Sequence, residues 1–276
     1  MIEFDIKDGI AIIPNGTTMI EDGDFCDCTS LVSIIIPESV TYIGDEAFRG
    51  CTSLKHVTIP ESVTYIGDEA FYGCASLKHV TIPESVTYIK EATFYECTSL
   101  KYVTIPKSVT YIGDEAFLGC TSLKHVTIPE SVTYIGDEAF RGCRSLKSIV
   151  IPESVRVVGD FAFAYCPSLK SIAVIEGNPV YDSREGCNAI IETKTNTLLS
   201  GCKTTIIPKS VIKIEGGAFY DCTTLVSIII PESVSKIEGE AFSNNTSLKT
   251  IIVPNACIDY YKDALPEELK LLVVGI

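Results

Sequence analysis

Residues 54–60 read Leu54-Lys55-His56-Val57-Thr58-Ile59-Pro60. Val57 and Ile59 alternate with polar neighbours, which is the periodicity of a β-strand with one buried face. Pro60 has no backbone N–H and ends the strand. With the preceding serine, this stretch recurs unchanged at 76–83 and 122–129. A strand that is repeated in this way indicates a repeat architecture.

The rest of the unit follows in residues 63–74. Val63 and Ile66 indicate a second short extended segment. Residues 67–73 predict one helical or 3₁₀ turn, with carboxylates in its first turn, near the free N–H groups. We expect eight side chains of this unit to point inward: Leu54, Val57, Ile59, Val63, Ile66, Ala70, Phe71 and Cys74.

The unit is 23 residues long. Phe recurs at that interval from Phe25 to Phe163 and returns at Phe219 and Phe242, which gives nine Phe-bearing units. Cys keeps the same interval from Cys28 to Cys166 and returns at Cys222. The cysteine column comprises Cys28, Cys51, Cys74, Cys97, Cys120, Cys143, Cys166 and Cys222. No single unit can bury its apolar face, but stacked units can. The fold class is therefore a repeat solenoid with a β-strand and a short turn in each unit.

The recurring pattern, L-x-x-V-x-I-P-x-S-V-x-x-I-x-x-x-A-F-x-x-C, resembles the BspA-like, Treponema-type leucine-rich-repeat family. One unit carries it at Leu77, Val80, Ile82, Pro83, Val86, Ile89, Phe94 and Cys97. The resemblance implies a curved right-handed stack. It also implies a surface-exposed protein of a bacterium or protist that binds host or matrix proteins.

Composition narrows the function. The apolar fraction of 46% is enough to build a core, and the formal net charge of −14 disfavours nucleic acid and anionic membrane surfaces as partners. We find no apolar run of membrane-spanning length and no signal peptide at the start. The chain is therefore either cytoplasmic or, as the resemblance implies, a mature cell-surface or secreted segment. We expect no membrane insertion, and a monomer or weak self-association.

The repeats are interrupted after Val174, because Ile175 stands where the next Pro is expected and Pro208 comes 33 positions later. Cys187–Glu192 and Thr197–Cys202 predict a β-hairpin, either a structural insert or a protruding recognition element. A symmetric turn would place Cys187 opposite Cys202 as a candidate disulfide. We divide the single solenoid into cap strands (1–14), regular repeats (14–175), hairpin insertion (176–206), further repeats (207–254) and C-terminal cap (255–276).

The outward positions of the first strand give the candidate binding face. They form a basic stripe beside a His/Tyr column on an otherwise acidic chain, so an acidic protein surface is the favoured partner. The candidate residues are Lys55, His56, Thr58, Lys78, His79, Lys101, Tyr102, Lys124, His125 and Lys147, with Lys170 continuing the stripe.

A second outward column is aromatic. It is either a binding stripe or inter-coil stacking that shields backbone. This tyrosine ladder comprises Tyr42, Tyr65, Tyr88, Tyr111 and Tyr134.

We identify no catalytic motif, cofactor site or metal site. The cysteine column is interpreted as small buried hydrophobes, and the acid columns that include Asp114 and Asp137 as solvated faces. The preferred hypothesis is a non-catalytic, protein-binding or adhesive repeat protein that uses the strand face and the hairpin. The alternative is a structural spacer or surface-layer component, which the near-identical central units favour.

Overall fold

Each 23-residue unit forms one coil with two short strands and a third side made of turns. The computed structural model describes residues 6–276, so residues 1–5 of the predicted N-terminal cap strands lie outside the described part. In the unit quoted above, the strands are His56–Val57 and Tyr65–Ile66. Equal unit length stacks equivalent residues directly, as in the parallel pairing of Tyr42 with Tyr65.

The first strands of successive coils form one side of the solenoid, the strand face. Their pairing is parallel, with Tyr102 opposite His79 and a single bridge from Tyr102 to His125. The strands are Ile10–Ile12, Ser33–Ile35, His56–Val57, His79–Thr81, Tyr102–Thr104, Ser148–Ile151, Ser171–Val174, Ser227–Ile229 and Thr250–Val253.

The second strands form the next side of the coil. They carry the tyrosine ladder and also pair in parallel. They are Met19–Ile20, Tyr42–Ile43, Tyr65–Ile66, Tyr88–Ile89, Tyr111–Ile112, Tyr134–Ile135, Val157–Val158, Lys213–Ile214 and Lys236–Ile237.

The third side differs from the sequence prediction of a helical or 3₁₀ turn. Glu69 has a φ of +53°, which no right-handed helix contains. Some N–H groups close local turns, such as Arg49 N to Glu46 O at 3.0 Å, while Phe48 N donates to Ala70 O of the next coil at 2.8 Å. The segment is therefore a series of β-turns hydrogen-bonded from coil to coil.

The predicted inward side chains are buried. Leu54, Val63, Ala70, Phe71 and Cys74 all have 0% exposure, and burying a large apolar side chain contributes about 1.5–3 kcal/mol. The Phe rings stack continuously from Phe25 to Phe163 with centroids 5.2–5.5 Å apart. Two core clusters meet at the interruption of the repeats.

The predicted hairpin is present, but its register is not symmetric. Ala189–Glu192 pairs antiparallel with Thr197–Gly201, and a β-bulge shifts the pairing between Ile190 and Ile191, so that Ala189 faces Gly201. Continuing that pairing puts Cys202 opposite Asn188. The predicted disulfide is wrong, because a one-residue slip turns side chains to opposite faces. Cys187 and Cys202 are free thiols in different core clusters.

The hairpin continues the stack instead of protruding from it. Tyr181–Asp182 pairs with its first strand, and its second strand pairs in parallel with Lys213–Ile214. A 3₁₀ turn at Arg184–Gly186 precedes it. The hairpin is exposed only at the loop, residues 193–195. The hairpin is therefore a structural insert that keeps the stack continuous, and it is not the protruding recognition element that we considered as the alternative.

Both ends of the solenoid carry additional structure. Ile6–Lys7 pairs antiparallel with Ile10–Ile12. At the other end, a 3₁₀ turn and two short helices lead to a last strand parallel to Thr250–Val253; the elements are Asn255–Cys257, Ile258–Ala264, Glu267–Lys270 and Val273–Gly275. No helix in the described part is long and apolar enough to cross a membrane.

Candidate binding face

The lysine stripe is a row of six exposed side chains on the strand face: Lys55, Lys78, Lys101, Lys124, Lys147 and Lys170. The backbone fixes their spacing, since Lys101 N donates to Lys78 O at 3.0 Å and Lys170 N donates to Lys147 O at 2.9 Å. No ion pair within residues 6–276 involves any of the six ammonium groups. The stripe therefore presents positive charge that the chain does not neutralise by direct contact.

The His/Tyr column runs beside the stripe. Tyr102 lies between His79 and His125 in the strand register and is half exposed. The side chains of both histidines are exposed as well. His56 is also exposed and pairs with Ser33. Across residues 6–276, no group of three or more His, Cys, Asp or Glu side chains is arranged to hold a metal ion.

Sequence reasoning missed the apolar ends of the strand face. The column that carries Thr58 in the central coils carries β-branched apolar residues toward both ends, and these are 46–75% exposed: Ile12, Ile35, Val150, Ile206 and Ile229. Following the outward columns beyond the near-identical units would have found them. A partner on this face would meet charge at the centre and apolar surface at either end.

The tyrosine ladder is mainly a packing feature. Tyr42 stacks on Tyr65 at 4.6 Å and Tyr111 on Tyr134 at 4.5 Å, with nearly parallel rings. Burial raises the pKa of the Tyr134 hydroxyl to about 12. Tyr88 departs from the pattern: it is 55% exposed and its ring is tilted 54° to that of Tyr111.

The Asp residues of the acid column have a structural role that we did not predict. Asp45 Oδ1 accepts from Asp68 N, and Asp114 Oδ1 accepts from Asp137 N, each at 2.9 Å. Each carboxylate thereby satisfies a backbone donor of the next coil. Reversing these charges would break the stack as well as change the surface.

The repeat architecture agrees with a comparison of this chain with known protein families. The family described as "BspA type Leucine rich repeat region (6 copies)" matches residues 10–124, 87–184 and 190–271. The chain belongs to this BspA-type leucine-rich-repeat family. Among curated proteins, no sequence matches this chain.

Several solved structures resemble this BspA-type chain. A leucine-rich cell surface protein from Faecalibacterium prausnitzii is 30% identical with a TM-score of 0.68, covering 89% of this chain and 81% of its own. The T. pallidum leucine-rich repeat protein is 32% identical with a TM-score of 0.53, covering 58% and 78%. A leucine-rich repeat protein from Bacteroides ovatus is 29% identical with a TM-score of 0.58, covering 96% and 76%.

The cysteine column of this BspA-type protein is buried, as predicted, except at its half-buried first member, Cys28. It also donates hydrogen bonds. Cys74 Sγ lies 3.2 Å from Phe48 O and Cys120 Sγ lies 3.1 Å from Phe94 O, each carbonyl belonging to the preceding coil. Burial raises the pKa of the Cys51 thiol to about 12. These thiols are protonated structural donors, since reactivity requires the thiolate.

Proposed function

We propose that this protein is a non-catalytic, surface-located binding protein whose strand face engages an acidic partner protein. The lysine stripe is the observation that carries the proposal, because six cations in fixed register make no ion pair with residues 6–276, on a chain with a net charge of −14. The surface location is supported by the relative that is described as a cell surface protein.

The lysine stripe is suited to electrostatic steering of an acidic partner toward the strand face. Lysines held by a rigid sheet raise the association rate of a complementary surface, and added salt weakens that attraction. The exposed isoleucines toward the ends of the face offer apolar contact that would slow dissociation. The hairpin has no part in this proposal, because its strands are buried.

The test uses charge reversal on the stripe with a matched control off it. Lys101→Glu/Lys124→Glu removes two adjacent members of the stripe. Lys107→Glu/Lys209→Glu changes net charge equally at exposed positions directly after Pro106 and Pro208. Other units already carry Glu at that position, as at Glu61 and Glu84, so the control does not disturb the coil.

Association with immobilised poly-L-glutamate, a minimal acidic polypeptide, is then measured by interferometry at two salt concentrations. We expect the stripe variant to associate about tenfold more slowly at low salt and the control to stay close to the unaltered protein. Equal slowing in both variants would locate the effect in net charge and not in the stripe. Absence of any binding would favour the alternative function, a structural spacer.

A further inference from the structure

A second surface feature lies on the turn side of the solenoid, away from the strand face. It is a groove of about 420 Å³, which we call the turn groove. Gly119 and Gly142, which we call its floor, lie in sequence between the column of Leu118 and Arg141 and the column of Thr121 and Arg144, and all six residues line the groove. Glu96 and Tyr165 stand at the two ends of the same column. Three coil steps separate these ends, or roughly 14 Å at the usual strand spacing.

The ends of the turn groove are the two places where its floor column is not glycine. The floor column is glycine at Gly50, Gly73, Gly119 and Gly142, all with positive φ. Glu96 and Tyr165 occupy the same column with φ of +51° and +56°, a region that side chains other than Asn and Asp rarely adopt. A neighbouring column has positive φ at Glu69, Glu115 and Glu138 as well, so this conformation belongs to the turns of the solenoid and does not by itself mark a ligand site. Its consequence here is that one carboxylate and one aromatic ring stand at opposite ends of a glycine floor.

The floor itself has no free backbone groups for a ligand. Gly119 N donates to Arg141 O and Gly142 N to Ala164 O, while the two glycine carbonyls accept from Thr121 N and Arg144 N within their own turns. An extended peptide therefore finds no strand edge here. Recognition has to come from the side chains.

Those side chains are charged groups of both signs. Arg141 donates to Glu138 at 2.8 Å, and Arg144 lies over the Tyr165 ring with its guanidinium 4.3 Å from the centroid. Glu96 and Glu115 add acceptors. Guanidinium groups only donate and carboxylates only accept, so the complement to both is a hydroxyl, which does both.

Aromatic rings complete the site. Tyr95 lines the turn groove and has one face covered by Tyr72, whose ring stacks at 4.5 Å. Tyr165 closes the other end. Three carboxylates and two guanidinium groups disfavour a strongly charged ligand of either sign, whereas rings and hydroxyl-binding groups suit a sugar.

We propose that the turn groove binds a short neutral oligosaccharide, with Tyr95 against a face of one sugar ring. Arg144, which the Tyr165 ring holds in place, and Glu96 are hydrogen-bonded to its hydroxyls. This site is independent of the strand face, so it can succeed or fail separately from the proposed protein binding.

The experiment is saturation-transfer NMR and calorimetry on the full chain with maltose, cellobiose, lactose and diacetylchitobiose, and with sialyllactose as an anionic comparison. Tyr165→Gly removes the ring while supplying the residue that the column otherwise uses, so the coil is retained. Arg144→Ala removes the guanidinium, and Arg156→Ala is the control because it removes an exposed Arg that does not line the groove.

We expect at least one neutral disaccharide to bind the unaltered protein and the Arg156 variant alike. Tyr165→Gly and Arg144→Ala should each weaken that binding about tenfold, the scale of one stacking or charged hydrogen-bond contact. The proposal is overturned if no neutral disaccharide transfers saturation, if sialyllactose alone does so, or if Tyr165→Gly binds as well as the unaltered chain.

Discussion

The side chain of one residue in the cysteine column shows what that column does. Asn245 occupies the column one unit after Cys222, and its Nδ2 donates to Phe219 O at 3.0 Å. A buried amide would be a poor substitute for a small hydrophobe but a good one for a hydrogen-bond donor. The column therefore selects a donor to the Phe carbonyl of the preceding coil, a point that the Asn in the sequence already indicates.

The most buried aromatic column gives the first prediction. Phe117 is 0% exposed and stacks on Phe94 and Phe140 at 5.4 and 5.2 Å. Phe117→Ala opens a cavity that neighbouring coils cannot fill, so we expect a loss of about 3–5 kcal/mol in the free energy of unfolding. Urea unfolding followed by circular dichroism measures it. Thr127→Ala on the exposed strand face is the control, and an equal effect of both substitutions would contradict the core assignment.

At the scale of one coil, Lys90 shows how a single unit departs from the repeat. It stands where neighbouring units carry Gly44, Gly67, Gly113 and Gly136. Its Nζ lies over the Tyr65 ring, 4.8 Å from the centroid, and 3.7 Å from Asp68 Oδ2. The ring of Tyr88 cannot occupy that space, which explains why it is tilted and exposed.

The same position gives a prediction with an internal control. A Cβ on Gly67 would lie 2.4 Å from Asp45 Oδ1 and 2.5 Å from Asp45 N, so in Gly67→Ala the backbone or Asp45 must shift and weaken the bond that Asp45 accepts from Asp68 N. In the Lys90 unit, which carries a Cβ at this position, the equivalent bond from Glu91 N to Asp68 Oδ1 is kept at 3.1 Å. We expect a cost of about 1–3 kcal/mol. A Cβ built on Gly239, which stands in a different column, would have no atom within 4 Å, so Gly239→Ala should be neutral or slightly stabilising. Urea midpoints of the two variants measure these effects. A Gly67→Ala variant as stable as the unaltered protein would contradict a close contact between the coils at this column.

Over the whole molecule, the 23-residue period predicts the stacking and the inward residues, because these depend on spacing alone. The hairpin lies outside the period, and its strands are predicted from the two apolar runs on either side of a polar loop. The period does not predict the turn side, where positive φ at Glu69 and coil-to-coil bonds replace a helix. Nor does it predict the bulge that separates Cys187 from Cys202, since a bulge leaves no periodic mark. The lysine stripe is visible in the sequence, whereas the turn groove required knowing which columns become neighbours.

The cysteine column also makes a prediction for the whole solenoid. Burial raises the pKa of the Cys51 and Cys166 thiols to about 12 and that of the four thiols between them well above the ordinary 9.0. Between pH 9 and pH 12 only the unfolded chain releases these protons. Stability is therefore complete below pH 9 and falls as pH rises toward 12, by roughly 1 kcal/mol per pH unit for Cys51 and for Cys166.

Urea midpoints at about pH 8, 9 and 10 measure this loss, and reversal on returning to pH 8 separates titration from chemical damage. Burial also raises the pKa of Tyr134 and Tyr261 to about 12, so their contribution has the same sign but begins nearer their ordinary pKa of 10.0. Cys97→Ala/Cys120→Ala isolates the thiols, because two fewer titrating groups should make the decline between pH 9 and 10 shallower. If the urea midpoint of that variant fell as steeply between pH 9 and 10 as that of the unaltered protein, the loss of stability would not come from the column thiols.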